Sequence, residues 1–439
     1  MKDLFLDLAG HAFGRLRGDE ALLANFGAEV SDFVRFNHAR VRQPMSVRQA
    51  YLTLQLIDGR RHDRVTLALS GNGDDRAAVD AAIDALRTDL PSLPEDPYLL
   101  YGTDPAESST VRAGTLPSAD EAIDALTREG EGLDMVGVLA SGPVCRGFAS
   151  SFGARHWHQV DSFLLDWSVY QSGDKAAKAA CAGQHWDRAE VARRIEATRA
   201  QLPFLARPPR TIEPGTYRAY VSPAAMDELL WMLNWGGVSA KAQRTQQSTI
   251  QQLVDGEAAL SERVNLREHT AAGLAPAFDE AGFVRPAAVD LIRAGRHAGS
   301  LVSPRTAREY GIESNGANEA EAMQAIELAP GSLPRADALR ALDTGVYVGN
   351  FHYLNWSDRS AARITGMTRF ATYWVERGEI VAPLAVMRFD DSLYRMLGAN
   401  LEALDDEADW ILNNLTYGGR SVETSRVPGA LLAELRLTL

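Results

Sequence analysis

The pair of residues best spaced for metal chemistry is His156 and His158, in the stretch ARHWHQVDS. If this stretch is a strand, residues i and i+2 face the same side and the two imidazoles lie close together. A hydrolytic zinc site also needs a third ligand and a carboxylate that handles the proton of the metal-bound water. Asp161 lies nearby and His185 farther along, but no H-E-x-x-H motif occurs and no third ligand stands out. We therefore expect structural roles for these histidines, with metal binding as the alternative.

Three other polar stretches could carry chemistry. His352 lies among aromatic residues in NFHYLNWSD, near Asn355 and Asp358, where it could line a cleft or be partly buried. SGNGDDR has a lone G-x-G but neither a P-loop lysine nor a third glycine, so we expect a hairpin tip that caps the next helix. The carboxylates of LEALDDEAD could hold a hard cation, although a solvated surface loop is the simpler expectation.

Nucleophilic catalysis has little support. Cys145 and Cys181 stand in GPVCRG and AACAG, where Arg146 is the one charged neighbour. A reactive cysteine needs a base or a strongly electropositive setting, so both are expected to be small buried residues. No serine, cysteine or threonine lies in a G-x-S-x-G elbow.

The elements that must position these residues belong to an ordinary globular chain. Of 439 residues, 46% are hydrophobic and 23% are charged, which allows two or three domains. The net charge of −13 disfavours binding to nucleic acid or to an anionic membrane surface. The chain has two cysteines, no apolar run long enough to span a membrane and no signal-peptide pattern at its N terminus, so we expect a cytoplasmic location.

The first half of the sequence predicts an α+β domain. Helical spacing in LFLDLAGHAFGRL is followed by short β segments in FVRFNHARVRQ, AYLTLQLIDGRR and DRVTLALSGNG, with a hairpin turn at Asp58-Gly59. Amphipathic helices follow in DDRAAVDAAIDALRTDL, SADEAIDALTREGEG and DRAEVARRIEATRAQL, the second of them capped by Ser118. Helices that alternate with meanders predict an antiparallel sheet covered by helices on one face.

The proline-rich stretch ARPPRTIEPGTY suggests a domain boundary near residue 203, giving domains 1–203 and 204–439. The second domain begins with a strand, YRAYVS, and an apolar helix, SPAAMDELLWMLNWGG. It becomes β-rich from GVYVGNFHYLNWSD onward, and AARITGMTRFATYWVERGEIVAPL predicts three strands with a tight turn at Arg377-Gly378. We expect a β-rich C-terminal domain.

Several stretches together resemble the TldD/PmbA family, also known as the TldD/TldE or modulator-of-gyrase family. They are VRFNHARVRQ, ASSFGARHWHQVDSFLLDWSV, the region 278–318 with its acidic-Gly turn and L-I-x-x-G hairpin, and the region 345–389 with T-G-x-T-R and V-E-x-G-E-I-V-x-P. Their order and spacing span nearly the whole chain. The resemblance implies a metalloprotease built from two related chains, of which one holds zinc through H-E-x-x-x-H and a late cysteine while the other lacks these ligands.

In this sequence the apolar helix matches the family's metal-binding helix. Trp231 takes the place of the first histidine, Met232 that of the glutamate and Gly236 that of the second histidine. No cysteine follows Cys181, so the late cysteine is missing as well. The resemblance therefore implies the metal-free, TldE/PmbA-like member, with no cofactor of its own and zinc in its partner.

The leading hypothesis is a non-catalytic subunit that pairs with a zinc-bearing TldD-like paralogue and helps enclose extended or unfolded peptides for maturation or degradation. Two alternatives remain open: an enzyme in its own right with a repurposed cavity, or a homodimeric peptide-binding protein. An extended peptide can add to a sheet edge as a further strand. The predicted wall of the peptide cavity consists of Trp231, Asn234, Trp235, Phe351, His352, Tyr353 and Trp356.

Overall fold

The fold was obtained as a computed structural model, which describes residues 1–173 and 175–439. Its α-helices are α1 (Lys2–Phe13), α2 (Asp74–Asp89), α3 (Ala119–Glu129), α4 (Arg188–Arg199), α5 (Leu202–Leu205), α6 (Pro223–Trp231), α7 (Ala240–Arg244), α8 (Gln251–Val254), α9 (Pro304–Tyr310) and α10 (Ala338–Leu342). A π-helical turn lies at Arg395–Ala399.

The first sheet is built from the first part of the chain. Its strands are β1 (Ala21–Asn37), β2 (Arg40–Asp58), β3 (Arg61–Ala68), β4 (Glu107–Arg112), β5 (Asp134–Ser150), β6 (Arg155–Ser172) and β7 (Lys175–Gly183). The order is β3-β2-β1-β5-β6-β4, with β7 also paired to β6. All neighbours are antiparallel except β4 and β6.

The second sheet collects the remaining strands. They are β8 (Gly215–Val221), β9 (Leu266–Glu268), β10 (Val289–Arg293), β11 (Arg296–His297), β12 (Ala325–Leu328), β13 (Gly345–Asp358), β14 (Arg363–Glu376), β15 (Glu379–Pro383), β16 (Arg388–Ser392), β17 (Leu401–Leu412) and β18 (Thr424–Leu437). Because β8 pairs with both β13 and β18, the path β18-β16-β14-β13-β8 closes on itself. Helix α6, which follows β8, packs against β13, β17 and β18.

The two faces of the first sheet have different partners. Alternate side chains of β1, among them Leu22 and Phe26, pack under α1 and α2, and Val34 and Phe36 continue this face toward α3 and α4. The opposite face packs against the second half of the chain, where Val144, Val160 and Leu164 meet Leu274, Ala275, Leu412 and Val422. The first sheet is thus buried between its helices and the second half of the chain.

The predicted α+β fold is confirmed, with a helix-covered antiparallel sheet followed by a β-rich half. Ser118 accepts a hydrogen bond from the Glu121 backbone N–H at the start of α3, as its spacing predicts. The turns at Asp58-Gly59 and Arg377-Gly378 connect strands as expected. The sheets divide between β7 and β8, but the boundary near residue 203 stays a prediction.

Three local predictions were wrong. FVRFNHARVRQ is a hairpin, with a turn of positive φ at His38 and Ala39, and not a short strand. LEALDDEAD forms most of β17 and is not a loop, because it pairs with β18. The stretch AARITGMTRFATYWVE forms the single strand β14, which turns at Phe370 with φ 59° where a second strand had been expected.

Within the described residues, no helix combines the length and the apolar character that a transmembrane span requires.

Candidate functional site

Helix α6 is the element that the sequence singles out, and its start is fixed by local chemistry. The Ser222 hydroxyl accepts a hydrogen bond from the Ala225 N–H and donates one of 2.6 Å to the Gly349 carbonyl on β13. Pro223 follows at the first helical position, where its missing N–H costs nothing. The helix ends at Trp231, and a 3₁₀ turn at Met232–Asn234 leads to Gly236, whose φ of 94° suits glycine.

Most of this segment is packed into the core of the second half. Met232 is 4% exposed, and the partly buried Trp231 packs against the same core. The Asn234 side chain holds the loop at Met323, since its amide donates to the Met323 carbonyl and accepts from the Met323 N–H. Trp235 differs, because it is 50% exposed at the end of the turn.

The side chains at the three metal positions do not fit zinc. Zinc in proteins takes histidine nitrogen, cysteine sulfur or carboxylate oxygen. Trp231, Met232 and Gly236 offer none of these, and over residues 1–173 and 175–439 no cluster of three His, Cys, Asp or Glu side chains has metal-binding geometry. The chemistry of a metal-bound water therefore cannot be derived from this helix.

Two neighbouring acids lie on α6 one turn before Trp231, of which Asp227 is buried and Glu228 is partly buried. Burial raises the pKa of Asp227 to about 6, although Ser425 and Trp231 partly counter the rise. Burial also raises the pKa of Glu228 to about 7, against the lowering effect of the Phe351 N–H, which donates to its carboxylate over 2.6 Å. Glu228 can therefore hold a proton near neutral pH, whereas Asp227 is protonated mainly at mildly acidic pH, and Glu228 ties α6 to the aromatic strand β13.

The aromatic part of β13 is divided between core and surface. Phe351 is buried and its ring lies 4.4 Å from that of Phe389, so it packs inside and does not form a surface wall. Tyr353 is 81% exposed and sits at a register shift with φ 57°. Trp356 is partly buried against the core of the second half. A strained backbone such as that of Tyr353 often accompanies a functional site.

His352 faces a basic recess. Its Nε2 lies 2.8 Å from a guanidinium nitrogen of Arg369, and burial together with the Arg369 charge lowers the pKa of His352. Arg369 also lines a shallow surface recess, together with Lys175, Thr368, Phe370, Thr372, Leu384 and Val386. The neighbours Asn355 and Asp358 are exposed, and Asp358 caps the hairpin turn through Ser360 and Ala361.

The structure does not bring the other histidines into one site. His156 and His158 do share a face of β6, but both are buried against the second half of the chain. His156 bonds Ser108 and stacks on Phe278, while His158 lies 2.8 Å from the Leu274 carbonyl. Burial lowers the pKa of His158 to about 4, so it is neutral.

Asp161 and His185 are separate from that pair. Asp161 lies three positions after His158 on β6, and an odd offset puts its side chain on the opposite face of the strand. His185 bonds the Thr115 hydroxyl at 3.4 Å. His156, His158 and His185 thus make the contacts expected of structural histidines, and Asp161 lies apart from the first two.

The remaining candidates also have structural partners. Cys145 and Cys181 are buried as expected, and burial raises the pKa of the Cys145 thiol to about 11. In SGNGDDR, Asp75 accepts hydrogen bonds from Ser70 and from the Gly71 N–H, which closes the turn before α2. The predicted hairpin tip was wrong, because the stretch joins β3 to this helix.

The acids of LEALDDEAD are engaged within the protein. Asp405 is fully buried and accepts a hydrogen bond of 2.6 Å from the Tyr220 hydroxyl. The Arg335 side chain binds both Asp405 and Asp409. These carboxylates therefore have a protein cation as their partner, and the suggestion of a solvated loop was wrong because β17 pairs with β18.

Sequence reasoning missed Arg420, which joins the two halves. It belongs to the β17–β18 loop, residues 413–423. Its guanidinium enters the first sheet and donates to the Gly142 carbonyl at 2.8 Å and to the Ser162 carbonyl and hydroxyl at 2.7 Å. The Glu29 carboxylate accepts from its backbone N–H. The GGR sequence was visible, but its partners are more than 250 residues away.

The fold and α6 define a two-sheet α+β protein whose residues at Trp231, Met232 and Gly236 offer no ligand to zinc. A family model described as the PmbA/TldA metallopeptidase C-terminal domain matches residues 214–438. That match spans more than half of the 439 residues, so the chain belongs to the PmbA/TldD family. No curated protein matches the chain.

Solved structures share the whole architecture. A proposed modulator of a DNA gyrase from Thermotoga maritima superposes with a TM-score of 0.78 at 13% identity, over 99% of this chain and 100% of that chain. TldE from Thermococcus kodakarensis gives 0.77 at 14% identity, over 100% of both chains. A proposed DNA gyrase modulator from Bacteroides thetaiotaomicron gives 0.75 at 14% identity, over 100% of this chain and 98% of that chain. At these identities the likeness establishes the fold alone.

Proposed function

We propose that this chain is the metal-free, non-catalytic subunit of a two-chain, cytoplasmic peptidase of the TldD/TldE type. A zinc-bearing relative supplies the metal, the glutamate base and the hydrolysis. This chain helps to enclose and bind extended or unfolded peptides that are matured or degraded. It needs neither nucleic acid nor a membrane.

The observation that carries the proposal is the build of α6. Met232 and Trp231 are packed into the core at positions where a peptidase of this family would present a base and a ligand to solvent. Gly236 has no side chain to offer. Replacing one of these three residues with a metal ligand would leave the other two positions without one. The helix therefore serves packing.

The surface near α6 supports a peptide-binding role. Trp235 and Tyr353 expose large aromatic side chains at the end of α6 and on β13. Aromatic side chains give large contact areas to a flexible ligand at small entropic cost. The Arg369 recess beside His352 adds hydrogen-bond donors next to apolar walls.

The test is to express the chain alone and together with a zinc-bearing relative that has the H-E-x-x-x-H motif. We expect the lone chain to carry no stoichiometric zinc in elemental analysis and to cleave no unfolded peptide. With the relative, we expect a stable complex by light scattering, one zinc per pair and cleavage.

Two matched variants assign the catalytic step. Replacing the motif glutamate of the relative with glutamine should abolish cleavage while the complex persists. Glu228→Gln in this chain should leave cleavage within about threefold, because this acid is partly buried and bonded to the backbone. Zinc and full peptidase activity in the lone chain would refute the proposal, and so would a stable homodimer that excludes the relative.

A further inference from the structure

Half of β2 has a sheet edge that no strand covers. Strand β1 pairs with β2 along its whole length, from Arg40 to Ile57. On the other side, β3 pairs only with residues 51–58. Among the described residues, the outer side of residues 40–49 therefore has no strand partner. We call this ten-residue segment the open edge.

The backbone groups of the open edge point outward at alternate residues. The Leu69 N–H donates to the Ala50 carbonyl over 2.8 Å on the β3 side, so Ala50 faces that side. Antiparallel ladders alternate from one residue to the next, and Arg48 and Ser46 therefore turn their N–H and C=O groups toward the open side. Pro44, two residues before Ser46, faces the open side as well. Its missing N–H therefore removes no hydrogen bond to β1, which fits the place of proline on edge strands.

The open edge is basic in an acidic protein. The hairpin of β1 and β2 exposes Arg35, Arg40, Arg42 and Arg48, with Asp32 as the acid among them, whereas the chain as a whole has a charge of −13. Val41 and Met45 lie exposed between the arginines. Pairing of two copies through this edge would bring arginines against arginines, which is unfavourable.

The open edge continues into the 413–423 loop. The Gln49 side chain donates to the Gly418 carbonyl of this loop over 3.0 Å. In the same loop Tyr417 is fully exposed. The Asn414 amide donates to Asp166 on β6, which also pairs with Lys178 on β7.

We propose that the open edge binds an acidic, extended peptide as an added strand. The outward N–H and C=O groups of Ser46 and Arg48 bind the main chain of the peptide, and the arginines select its acidic side chains. Tyr417 packs on the peptide where it passes the 413–423 loop. This inference rests on the proposed peptide-binding function and names both the place and the charge class of the ligand. Main-chain pairing gives affinity, and alternate side chains give selectivity.

The experiment uses the full chain and fluorescent ten-residue peptides without proline. One peptide alternates glutamate with valine, a second alternates lysine with valine, and a third is the acidic peptide with N-methyl groups on alternate amides. We expect the acidic peptide to bind at least tenfold more tightly than the other two. Its affinity should fall steeply with salt. Hydrogen exchange should slow in residues 40–49 when it binds.

The double variant Arg42→Glu/Arg48→Glu should weaken binding of the acidic peptide at least tenfold. Arg17→Glu/Arg340→Glu, the same change in charge at two exposed residues outside β1 and β2, is the matched control and should change it less than twofold. Thermal melting verifies that each variant is folded. Tyr417→Ser tests the cover independently, and we expect about threefold weaker binding.

The outcomes separate this inference from the proposed function. If the acidic peptide binds wild type and both charge variants equally, with no protection at residues 40–49, the open edge is the wrong place although peptide binding stands. If the charge variants lose the zinc-bearing relative and not the peptide, the edge is a subunit interface and the inference fails. If no peptide binds to the chain alone or in the complex, both proposals fail.

Discussion

At the residue scale, Glu228 is the group whose chemistry depends most on its surroundings. Burial raises its pKa from 4.5 to about 7, so the folded state holds a proton that the unfolded state has lost. The contribution of this carboxyl to the free energy of unfolding is therefore complete below pH 4.5, falls as the pH rises toward 7 and is constant above that. The neighbouring Asp227, whose own pKa is raised to about 6, adds to the same trend.

We expect Glu228→Gln to flatten this pH dependence. The amide oxygen can still accept from the Phe351 N–H, but no charge is buried at high pH. At pH 8 the variant should be more stable than wild type by on the order of 2 kcal/mol, and at pH 4.5 the two should be nearly equal.

Urea unfolding at four pH values measures the effect. Glu262→Gln, at an exposed position, is the control and should shift stability by no more than about 0.5 kcal/mol at any of them. A stability difference between the variant and wild type that does not grow between pH 4.5 and 8 would contradict a raised pKa at Glu228.

Residue types alone gave part of the site. That Trp231, Met232 and Gly236 lack metal ligands follows from the sequence, because a missing ligand needs no geometry to be recognised. The burial of Asp227 and Glu228 could not be predicted, since it depends on β13 and β18 closing over α6. Asp405 was misjudged for the same reason, because its partner Tyr220 is 185 residues away.

At the scale of elements, local signals were reliable where one or two residues decide the structure. The cap at Ser118 and the turn at Arg377-Gly378 are of this kind. Strand β1 was recognised only at its end, because helices cover one face and the second half of the chain covers the other. A strand buried on both faces loses the alternation that reveals a strand in sequence.

The cap of α6 should matter more than that of α3. Ser222→Ala removes the hydrogen bond to the Gly349 carbonyl as well as the cap at Ala225, and both groups are buried. We expect a loss of about 1–2 kcal/mol in the free energy of unfolding. Ser118→Ala removes only a cap at an exposed helix start, so about 0.5–1 kcal/mol is expected.

Chemical denaturation of both variants at one pH gives the comparison. Equal losses would mean that the Ser222 contact to β13 adds no stability, and α6 would then be held by its apolar side chains alone. A larger loss at Ser222 supports the tie between the helix and the closed ring of strands.

At the scale of the whole molecule, the halves are joined by specific contacts spread over the interface. Gly282, in the acidic-Gly turn, has no side chain and so lets its backbone pack on Phe148 of the first sheet. The Ala281 carbonyl accepts from the Gly102 N–H at 2.8 Å, and the rings of Phe278 and His156 stack. The family motif in this region is therefore an interface between halves, which the sequence pattern could not reveal.

Arg420 is the strongest single test of that interface. Burial lowers its pKa to about 10, while the Glu29 carboxylate favours its charge, so the cation persists at neutral pH. Gly142, which accepts from Arg420, has φ 143°, and a Cβ there would lie 2.0 Å from the Val30 carbonyl oxygen. Only glycine fits this position, so the carbonyl that accepts from Arg420 belongs to a residue that cannot be replaced without moving β1.

Arg420→Met should cost about 3 kcal/mol, because it leaves the Gly142 and Ser162 carbonyls at the interface without their charged donor. Arg426→Met, six residues on and half-exposed beside Glu327, is the matched control and should cost less than about 1 kcal/mol. Urea unfolding measures both, and hydrogen exchange should show faster opening of residues 413–423 in Arg420→Met alone. If both variants lose the same small amount of unfolding free energy, apolar packing holds the two halves together, and the hydrogen bonds of Arg420 are not what joins the β17–β18 loop to the first sheet.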